Sequence, residues 1–356
     1  MRIYPIFLPG TGCRTECIYC DQKKTSPRPS SQTLKEIRKE IKTFFVASEL
    51  RVGAQLAFFG GTFTGLDPDF QEALLQTATE AMAEGGIRPS IRISTHPSLV
   101  DSTSLDLLRQ FPVDVIELGI QSFDSKALKL TNRGYDSDLA RTACRSVKDA
   151  GFELIIQLMP GLPGSSLGGD LASAKAAVSL RPAGVRLYPL CVVRGTALHK
   201  WVREGRYSPM SLEQGISLTS RMLEIVAEAG VPVLRVGLAE QPGLAEQIVG
   251  GPHHPAFGDL VWIDLVVRRI LGLCEDGIKL LGVTERAISL IRGHGQRGQK
   301  MLTHGAPQLE LEFTVSPGRM TRPLGSLVLG KYSLSFDEDL VLLDVVDRSG
   351  GTEMEP

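Results

Sequence analysis

The chain has 356 residues, 42% hydrophobic content and a formal net charge of −1. This length and apolar content suffice for one large α/β domain, or for one large and one small domain. The balanced charge neither requires nor excludes a nucleic-acid partner, because a basic face can exist within a neutral total. The chain has no run of about 18 apolar residues. Its N-terminus is too short and broken for a signal peptide. We therefore expect a soluble cytoplasmic protein without a membrane partner.

Short apolar segments alternate with longer amphipathic segments in the first half of the chain. The predicted strands are Ile3–Leu8, Gln55–Phe59, Ser90–Ser94, Val113–Leu118, Leu154–Leu158 and Gly184–Leu187. The predicted helices, apolar at i, i+3 and i+4, are Thr33–Ala47, Asp69–Glu84, Ser102–Gln110, Ser137–Ala150 and Gly168–Leu180. Asp69 and Ser137 are the expected caps, and Gly151 is an expected stop. Alternating β and α elements predict a parallel sheet with outer helices, whose chemistry lies at the carboxyl ends of its strands.

The second half of the chain begins with a predicted helix, Leu212–Ala229, and a predicted strand, Val231–Val236. After Gly237 the pattern changes. Residues 240–275 are predicted to be helical, and residues 308–315 are predicted to form an edge or half-buried strand. Residues 325–345 are predicted to form two strands, and the tail from residue 349 is predicted to be disordered. The predicted fold is therefore α/β, a partial (β/α)6 TIM-like barrel with a small C-terminal α/β extension. Residues 1–237 are the predicted catalytic domain, and residues 238–356 a substrate or partner region.

Three of the six cysteines lie within eight positions, directly after the first predicted strand. Cys13, Cys17 and Cys20 have the spacing Cys-x3-Cys-x2-Cys. Thiolates are soft ligands that suit iron–sulfur clusters. A structural zinc site usually takes four ligands, and no fourth cysteine or histidine is near. Three cysteines on a [4Fe-4S] cluster leave one iron open to a small molecule. Zinc and a chance grouping are the alternatives.

This spacing, with Tyr19 before the last cysteine, is similar to the signature of the radical S-adenosylmethionine (SAM) superfamily. The resemblance implies that SAM chelates the open iron through its amino and carboxylate groups. It further implies that one electron from the reduced cluster cleaves SAM to methionine and a 5′-deoxyadenosyl radical, which abstracts hydrogen from a substrate. Such an enzyme needs an electron donor such as flavodoxin or ferredoxin.

The turn after the second strand, Gly60-Gly61-Thr62, is the first candidate SAM contact outside the cysteine loop. Paired glycines let a ligand approach the backbone closely. The resemblance assigns this turn to the SAM amino group, whereas an isolated Gly-Gly pair is usually only a tight turn.

Further candidate SAM contacts follow the fourth and fifth strands. Gln121 offers a donor and an acceptor that suit ribose hydroxyls, and Arg133 can pair with the SAM carboxylate. Pro160 and Gly161 belong to a loop predicted to lie against the adenine, where Tyr19 is predicted to stack. The alternatives are a surface arginine in a helix-ending turn and a packed tyrosine.

Several stretches together resemble the radical SAM domain of the Elongator catalytic subunit, which modifies tRNA. They are Gly60–Phe63, Glu117–Ser122, Thr131–Tyr135, Met159–Gly164, Arg186–Pro189, Val193–Thr196 and Glu204–Tyr207. The resemblance covers about residues 10–237 and implies a tRNA or other RNA substrate. The family spaces its cysteines more widely and carries an acetyltransferase domain, for which the residues after 237 are too few. Acetyl transfer is therefore not implied here.

Two alternatives remain open at this stage. The stretch Gly119–Asp124 also resembles oxygen-independent coproporphyrinogen III oxidase, which acts on a tetrapyrrole. Ser94 and Gln157 stand where that family carries a glutamate and an aspartate. The chain could instead be a non-catalytic sensor that binds SAM and a cluster. The oligomeric state does not follow from the sequence.

Three further groups are candidates for substrate contacts. Six basic residues are predicted to gather where the barrel opens, where they would either meet RNA phosphates or form a solvated basic face: Arg186, Arg194, Lys200, Arg203, Arg206 and Arg235. Adjacent His253 and His254 are more often a turn than a binding site. Residues 285–315, with a Gly-x-x-Gly sequence at 295–298, have the order of a KH RNA-binding unit, although a loop between helices is the commoner structure.

Overall fold

A seven-stranded parallel sheet organises the protein. The computed structural model describes residues 3–21, 33–47, 54–239, 243–314, 325–329, 332–337 and 340–345. The strands in these ranges are β1 (Ile3–Phe7), β2 (Gln55–Phe59), β3 (Ile91–Thr95), β4 (Val113–Gln121), β5 (Glu153–Leu158), β6 (Gly184–Leu187), β7 (Val192–Val193), β8 (Val233–Val236), β9 (Ile248–Gly250), β10 (Leu280–Thr284), β11 (Glu310–Thr314), β12 (Gly325–Leu329), β13 (Tyr332–Phe336) and β14 (Leu340–Val345). The main sheet has the order β1-β2-β3-β4-β5-β6-β8. It curls into a half-barrel, which confirms the predicted fold class.

Helices connect the strands of this sheet and continue into the C-terminal region after β8. They are α1 (Leu34–Ala47), α2 (Pro68–Glu84), α3 (Ser102–Arg109), α4 (Ser125–Leu130), α5 (Ser137–Asp149), α6 (Leu167–Ser179), α7 (Ala197–Arg203), α8 (Leu212–Glu228), α9 (Leu244–Gln247), α10 (Phe257–Glu275), α11 (Ile288–Arg292) and α12 (Arg297–Gly305). The predicted helices of the first half are present with ends shifted by about one residue. The short helices α4 and α7 were missed, because one or two turns do not show a clear helical period.

The two expected N-caps were wrong by one or two positions. Asp67, not Asp69, caps α2, because its carboxylate accepts the N–H groups of residues 69 and 70 and Pro68 starts the helix. Asp136, not Ser137, caps α5 by accepting the N–H of residue 139. Gly151 follows α5 with φ +89, as expected of a helix stop.

The C-terminal region contains a second sheet of five strands, ordered β11-β10-β14-β13-β12. The strand predicted at 308–315 is β11, and it lies at the sheet edge as expected. Residues 325–345 form three strands rather than two. The prediction that residues 240–275 are helical is confirmed only in part, because β9 and a turn containing Pro252 and Pro255 separate α9 from α10. The predicted disordered tail lies outside the described residues.

The second half of the chain is attached to the barrel at several places. Strand β7 pairs antiparallel with β9, and α10 packs on α8. Strand β8, which the sequence predicted, is the seventh strand of the main sheet, and Gly237 just after it donates its N–H to Leu187 O at 2.9 Å. The domain boundary near 237 stays a prediction. Within the described residues, no helix is long and apolar enough to cross a membrane.

The concave face of the sheet, here called the lumen, carries charged residues. Alternate strand residues such as Leu56 and Ile93 are fully buried in the apolar core shared with the helices. The intervening residues Arg92, Glu117 and Arg186 point to the other face. Arg92 Nη1 lies 2.6 Å from Glu117 Oε1, and Arg186 Nη2 lies 3.0 Å from the same oxygen. One carboxylate therefore pairs with two guanidinium groups inside the half-barrel.

We expect Glu117→Gln to lower the free energy of unfolding by about 3 kcal/mol, because it leaves two nearly buried guanidinium groups without their carboxylate. Denaturant titration of both proteins measures this loss. Glu153→Gln, at an exposed position of the neighbouring strand, is the matched control and should change stability by less than about 0.5 kcal/mol. Equal stability of Glu117→Gln and the native protein would contradict the assigned role.

Candidate functional site

The loop after β1, which contains the three clustered cysteines, is bound to the turn after β2. Gly10 N donates to Gly60 O at 2.8 Å, and Thr62 N donates to Thr11 O at 2.9 Å. Cys13 Sγ lies 3.2 Å from Thr62 Oγ1. These contacts extend the pairing of β1 with β2 beyond the ends of both strands. They bring the first predicted metal ligand directly against the predicted Gly-Gly-Thr turn.

Two glycines permit this close approach. Gly12 has φ +71, and a Cβ on it would lie well inside 3.0 Å of the Thr62 carbonyl oxygen. A Cβ on Gly61 would similarly collide with the carbonyl oxygens of Leu8 and Thr11. A real Cβ atom does not approach backbone oxygen so closely. Both positions therefore need glycine for space, and Gly12 also needs it for its left-handed backbone.

The second part of the cysteine loop contacts the segment that follows α4. Asn132 Nδ2 donates to Glu16 O at 2.8 Å, and Arg133 Nη1 donates to Cys17 Sγ at 3.1 Å. Cys20 N donates to Cys17 O at 3.0 Å, which folds the last two cysteines into a turn. Arg133 is only 6% exposed, so it is not a surface arginine. Its guanidinium places a positive charge beside the sulfur of Cys17.

The three clustered thiols are accessible donors of the kind that binds an iron–sulfur cluster. Cys13 and Cys20 are exposed and Cys17 is half-buried, and all three are free thiols. Among the described residues, no three His, Cys, Asp or Glu side chains converge closely enough to bind one metal ion. Each cysteine of a [4Fe-4S] cluster binds a different iron, so its ligands need not converge on one point. The donor set and its accessibility therefore fit such a cluster.

Gln121 ends β4 in a strained conformation. It is a buried non-glycine residue with φ +63, next to an irregularity in the pairing of β4 with β5. Gln157 Nε2 donates to Gln121 Oε1 at 3.3 Å. Non-glycine residues with positive φ are uncommon, and such strain concentrates at functional sites. The side-chain amide is thus held at the carboxyl edge of the sheet, where the sequence predicted it.

His96, which the sequence analysis missed, lies beside Arg133 at the end of β3. Burial, together with the nearby Arg133 charge, lowers the pKa of this imidazole to about 3. Its Nδ1 is 2.7 Å from Ser98 Oγ, and its ring stands edge-on to Tyr135 at 5.0 Å. Its Nε2 has no hydrogen-bond partner among the described residues. His96 is therefore neutral, and its position after a predicted strand was the signal that could have identified it.

The loop after β5 is fixed by the buried Asp170 and the half-buried Tyr207. Gly161 N donates to Asp170 Oδ2 at 3.0 Å, and the Tyr207 hydroxyl donates to Gly161 O at 2.7 Å. Ser165 Oγ donates to the second Asp170 oxygen at 2.7 Å. Burial raises the pKa of Asp170 from 3.8 to about 6. The loop that is predicted to contact adenine is therefore held in shape by hydrogen bonds within the chain.

Tyr19 connects the cysteine loop to this β5 loop. It is 8% exposed and packs in a small apolar cluster that includes Leu162 and Leu190. Pro160 O accepts the N–H of Leu190 at 3.0 Å. Burial raises the pKa of the Tyr19 hydroxyl well above 10, and the hydroxyl has no hydrogen-bond partner among the described residues. Tyr19 is thus packed beside the predicted adenine loop, and its stacking on adenine stays a prediction.

The six basic residues predicted at the barrel mouth are found in different places. Arg186 and Arg235 are in register on the neighbouring strands β6 and β8. Lys200, Arg203 and Arg206 lie on or just after α7 and are exposed, with Arg206 over the Trp201 ring at 4.3 Å. The structure thus separates a pair of strand arginines from a group of exposed helix residues.

The other two candidate groups adjoin one another. His254 Nδ1 accepts the N–H of Ala256 at 3.0 Å, as expected for a turn, and the His254 ring stands edge-on to His294 at 4.8 Å. The Gly-x-x-Gly sequence connects α11 to α12, between the parallel strands β10 and β11, which is the predicted element order. Arg297 in this sequence forms a bidentate pair with Glu213. Nucleic-acid binding by this unit stays a prediction.

We expect Gly12→Ala to reduce the iron and sulfide bound after anaerobic reconstitution to less than half of the native amount, because the added methyl separates the cysteine loop from Thr62. Gly86→Ala is the matched control, since Gly86 has the same φ of +71 but an added Cβ would meet no atom of the described residues within 4 Å. Both variants carry the left-handed backbone cost of about 1 kcal/mol. Equal cluster content in the two variants would show that the close approach is unimportant.

We expect the buried Asp170 carboxyl to lower stability as the pH rises. Its folded-state pKa of about 6 exceeds the ordinary value of 3.8, so the folded protein binds more protons between these values. Between pH 5 and 7 this group should reduce the free energy of unfolding by about 1 kcal/mol. Denaturant titrations of native and Asp170→Asn protein at both pH values measure the difference. An identical pH dependence would contradict the raised pKa.

Comparisons with known proteins agree with this geometry. The model of the radical SAM superfamily matches residues 7–169, and that of the radical SAM C-terminal domain matches residues 182–267. The tRNA uridine(34) acetyltransferase of Dehalococcoides mccartyi is 29% identical over 232 residues, which are 55% of this chain and 50% of that protein. Elongator complex protein 3 of Mus musculus is 27% identical over 47% of this chain and 34% of that protein. The chain thus spans half or less of the length of these relatives.

A solved structure supports the fold independently. Methanocaldococcus infernus Elp3, with an N-terminal deletion, superposes with a TM-score of 0.55 at 20% identity, over 86% of this chain and 72% of that chain. This identity is low, so the likeness concerns the fold alone. The two family models together cover well over half of the sequence and include the cysteine loop, the Gly-Gly-Thr turn, Gln121 and Arg133. The chain belongs to the radical SAM superfamily of enzymes.

Proposed function

We propose that this protein reductively cleaves SAM at a [4Fe-4S] cluster bound by Cys13, Cys17 and Cys20, and that it acts on tRNA or a related RNA. The contact that carries the proposal is the one between the Cys13 loop and the Gly60–Thr62 turn. Membership of the superfamily implies both SAM and the cluster. When bound, the cluster would supply the electron that breaks a carbon–sulfur bond of SAM.

The residues of the chain would bind and orient the two cofactors. Arg133 donates to the Cys17 sulfur and places a positive charge beside it. Its guanidinium has five N–H groups, of which three contact Cys17, Gly119 and Tyr135. N–H groups remain for the SAM carboxylate, which we propose as its ligand. His96 beside Arg133 is neutral, so it adds no second positive charge that would compete for the SAM carboxylate.

The remaining predicted SAM contacts follow the carboxyl edge of the sheet. The Gly60–Thr62 turn would accept the SAM amino group, and the Gln121 amide would bind the ribose hydroxyls. The loop containing Pro160 and Gly161 would contact the adenine, since Asp170 and Tyr207 already fix its shape. These groups come from β2, β4 and β5, so the proposed SAM site crosses the half-barrel from one side towards the other.

The proposed RNA substrate rests on the curated relatives, which are named for tRNA uridine(34) modification and for the Elongator complex. Their similarity to this chain covers only part of their length, so acetyl transfer is not included in the proposal. An electron donor such as flavodoxin or ferredoxin is proposed as a partner, because the two exposed cysteines place the cluster site at the surface.

Anaerobic reconstitution followed by a SAM-cleavage assay tests the proposal. The protein is incubated with dithionite and SAM, and 5′-deoxyadenosine is quantified with and without bulk tRNA. We expect tRNA to increase the yield several-fold. Cys17→Ala should abolish 5′-deoxyadenosine formation and the cluster absorbance. Cys144→Ala, which removes a fully buried thiol of α5, is the matched control and should retain both.

Each result of this assay has a distinct meaning. Cleavage by Cys17→Ala protein would overturn the cluster assignment. If bulk tRNA leaves the rate of SAM cleavage unchanged, the proposal of an RNA substrate would be wrong. A small-molecule substrate such as a porphyrin would then be favoured. A bound cluster without any cleavage would favour the non-catalytic sensor.

A further inference from the structure

The lumen contains more positive charge than its own carboxylate can balance. Arg92 and Arg186 have side chains only 3% and 12% exposed, and both pair with Glu117, which is 4% exposed. Arg235 adds a third guanidinium on the neighbouring strand β8, and this one is exposed. Burying charge without a partner is costly, and the Glu117 carboxylate compensates only one of the two arginines buried beside it. This part of the barrel therefore favours an additional anion.

The unused hydrogen-bond donors are concentrated at one end of this group. Arg186 Nη1 donates to the Tyr188 hydroxyl oxygen at 2.8 Å, and among the described residues no acceptor takes the Tyr188 proton. Arg186 Nε lies 3.0 Å from Glu117 Oε2, so it faces that carboxylate together with Nη2. Arg235 Nε makes a long contact of 3.4 Å to Gly237 O. Among the described residues, the donors that remain between β6 and β8 are the Tyr188 proton, the Arg235 guanidinium and two of the five Arg186 N–H groups.

Tyr188 stays a donor at physiological pH. Burial raises the pKa of its hydroxyl above 10, although the nearby Arg186 and Arg235 charges act in the opposite direction. The ring of Phe59 lies 5.5 Å from the Arg186 guanidinium and covers it from the side of β2. Arg186 is therefore held in one orientation by Glu117, Tyr188 and Phe59, which reduces the entropy lost on binding a ligand.

The position of these donors connects them to the proposed SAM site. Gln157 of β5 is in register with Arg186 of β6, and its side chain donates to Gln121. Gln121, Gln157 and Arg186 thus follow one another across three neighbouring strands at the carboxyl edge of the sheet. SAM itself carries a net positive charge, so it does not supply the missing anion. A second ligand beside SAM would do so.

We propose that Arg186, Tyr188 and Arg235 bind an oxyanion of the substrate, next to the SAM site. This inference rests on the proposed function and specifies one feature of the substrate, a phosphate or carboxylate group close to the reacting atom. An RNA phosphate and a carboxylate of a small molecule share this chemistry. Paired arginine side chains suit either group, because guanidinium presents a planar fork of donors.

Binding of inorganic phosphate to the full-length protein tests the site without any need for turnover. Melting temperature is measured against phosphate concentration, with sodium chloride adjusted to hold ionic strength constant. We expect a saturable rise of about 2 °C for the native protein. Arg235→Gln should weaken phosphate binding at least about tenfold, and Tyr188→Phe should weaken it less, because each removes donors.

Arg203→Gln is the matched control, since it removes an exposed arginine of α7 outside the lumen, and it should behave like the native protein. Arg235→Lys keeps the charge but loses the fork and should bind phosphate with intermediate strength. Native protein that phosphate does not stabilise would overturn the proposal. Equal phosphate affinity of native and Arg235→Gln protein would also overturn it.

A second experiment distinguishes the two sources of the oxyanion. Bulk tRNA and coproporphyrinogen III are titrated separately into native and Arg235→Gln protein. If RNA phosphate is the ligand, Arg235→Gln should weaken tRNA binding and reduce the slope of log affinity against log salt by about 0.7–0.9. If a carboxylate is the ligand, only porphyrinogen binding should weaken. A failure of tRNA to stimulate SAM cleavage would count against the proposed function alone, because phosphate binding is measured independently.

Discussion

The backbone pairing between the loop after β1 and the turn after β2 is the constraint on which the rest of the candidate site depends. It is possible only because Gly12 and Gly61 have no side chains, and it brings Cys13 against Thr62. Asn132 and Arg133 then bind the other end of the cysteine loop from the segment after α4. An exposed loop with three thiols would otherwise sample many conformations, at a cost in entropy whenever it bound a cluster. The barrel removes most of that cost by holding the loop at both ends.

The two faces of the sheet differ in polarity. The outer face is apolar and packs under the helices, as in any parallel sheet that is covered by helices. The lumen face carries Arg92, Glu117 and Arg186 in nearly complete burial, which stabilises the fold only if their pairing is satisfied. A buried charged layer is an expensive way to fill a barrel. On β6 this layer orients Arg186 near the carboxyl edge of the sheet, where we propose that a ligand binds.

The superfamily models match the first part of the chain and not the C-terminal sheet. The superfamily models cover the residues that form the cysteine loop and the proposed SAM site. The five-stranded sheet, which begins at Leu280, lies beyond both models. It contains the Gly-x-x-Gly connection, whose Arg297 pairs with Glu213 at the start of α8 and so anchors this region to the barrel. Substrate recognition by this region is therefore a separate question from SAM chemistry.

The sequence by itself determined the repeating βα pattern and the strand positions, because these depend on local periodicity. The spacing of residues along one loop likewise indicated the three proposed metal ligands. It also indicated Gly60–Thr62, Gln121 and the β5 loop, since residues that follow parallel strands meet at one edge. It could not show that Arg133 contacts Cys17, 116 positions away, or that His96 is buried and neutral. It also could not show that Arg186 and Arg235 lie side by side on neighbouring strands, whereas Lys200, Arg203 and Arg206 lie on or just after α7. Those features depend on which strands are neighbours and which face each residue occupies, and only the curled sheet decides both.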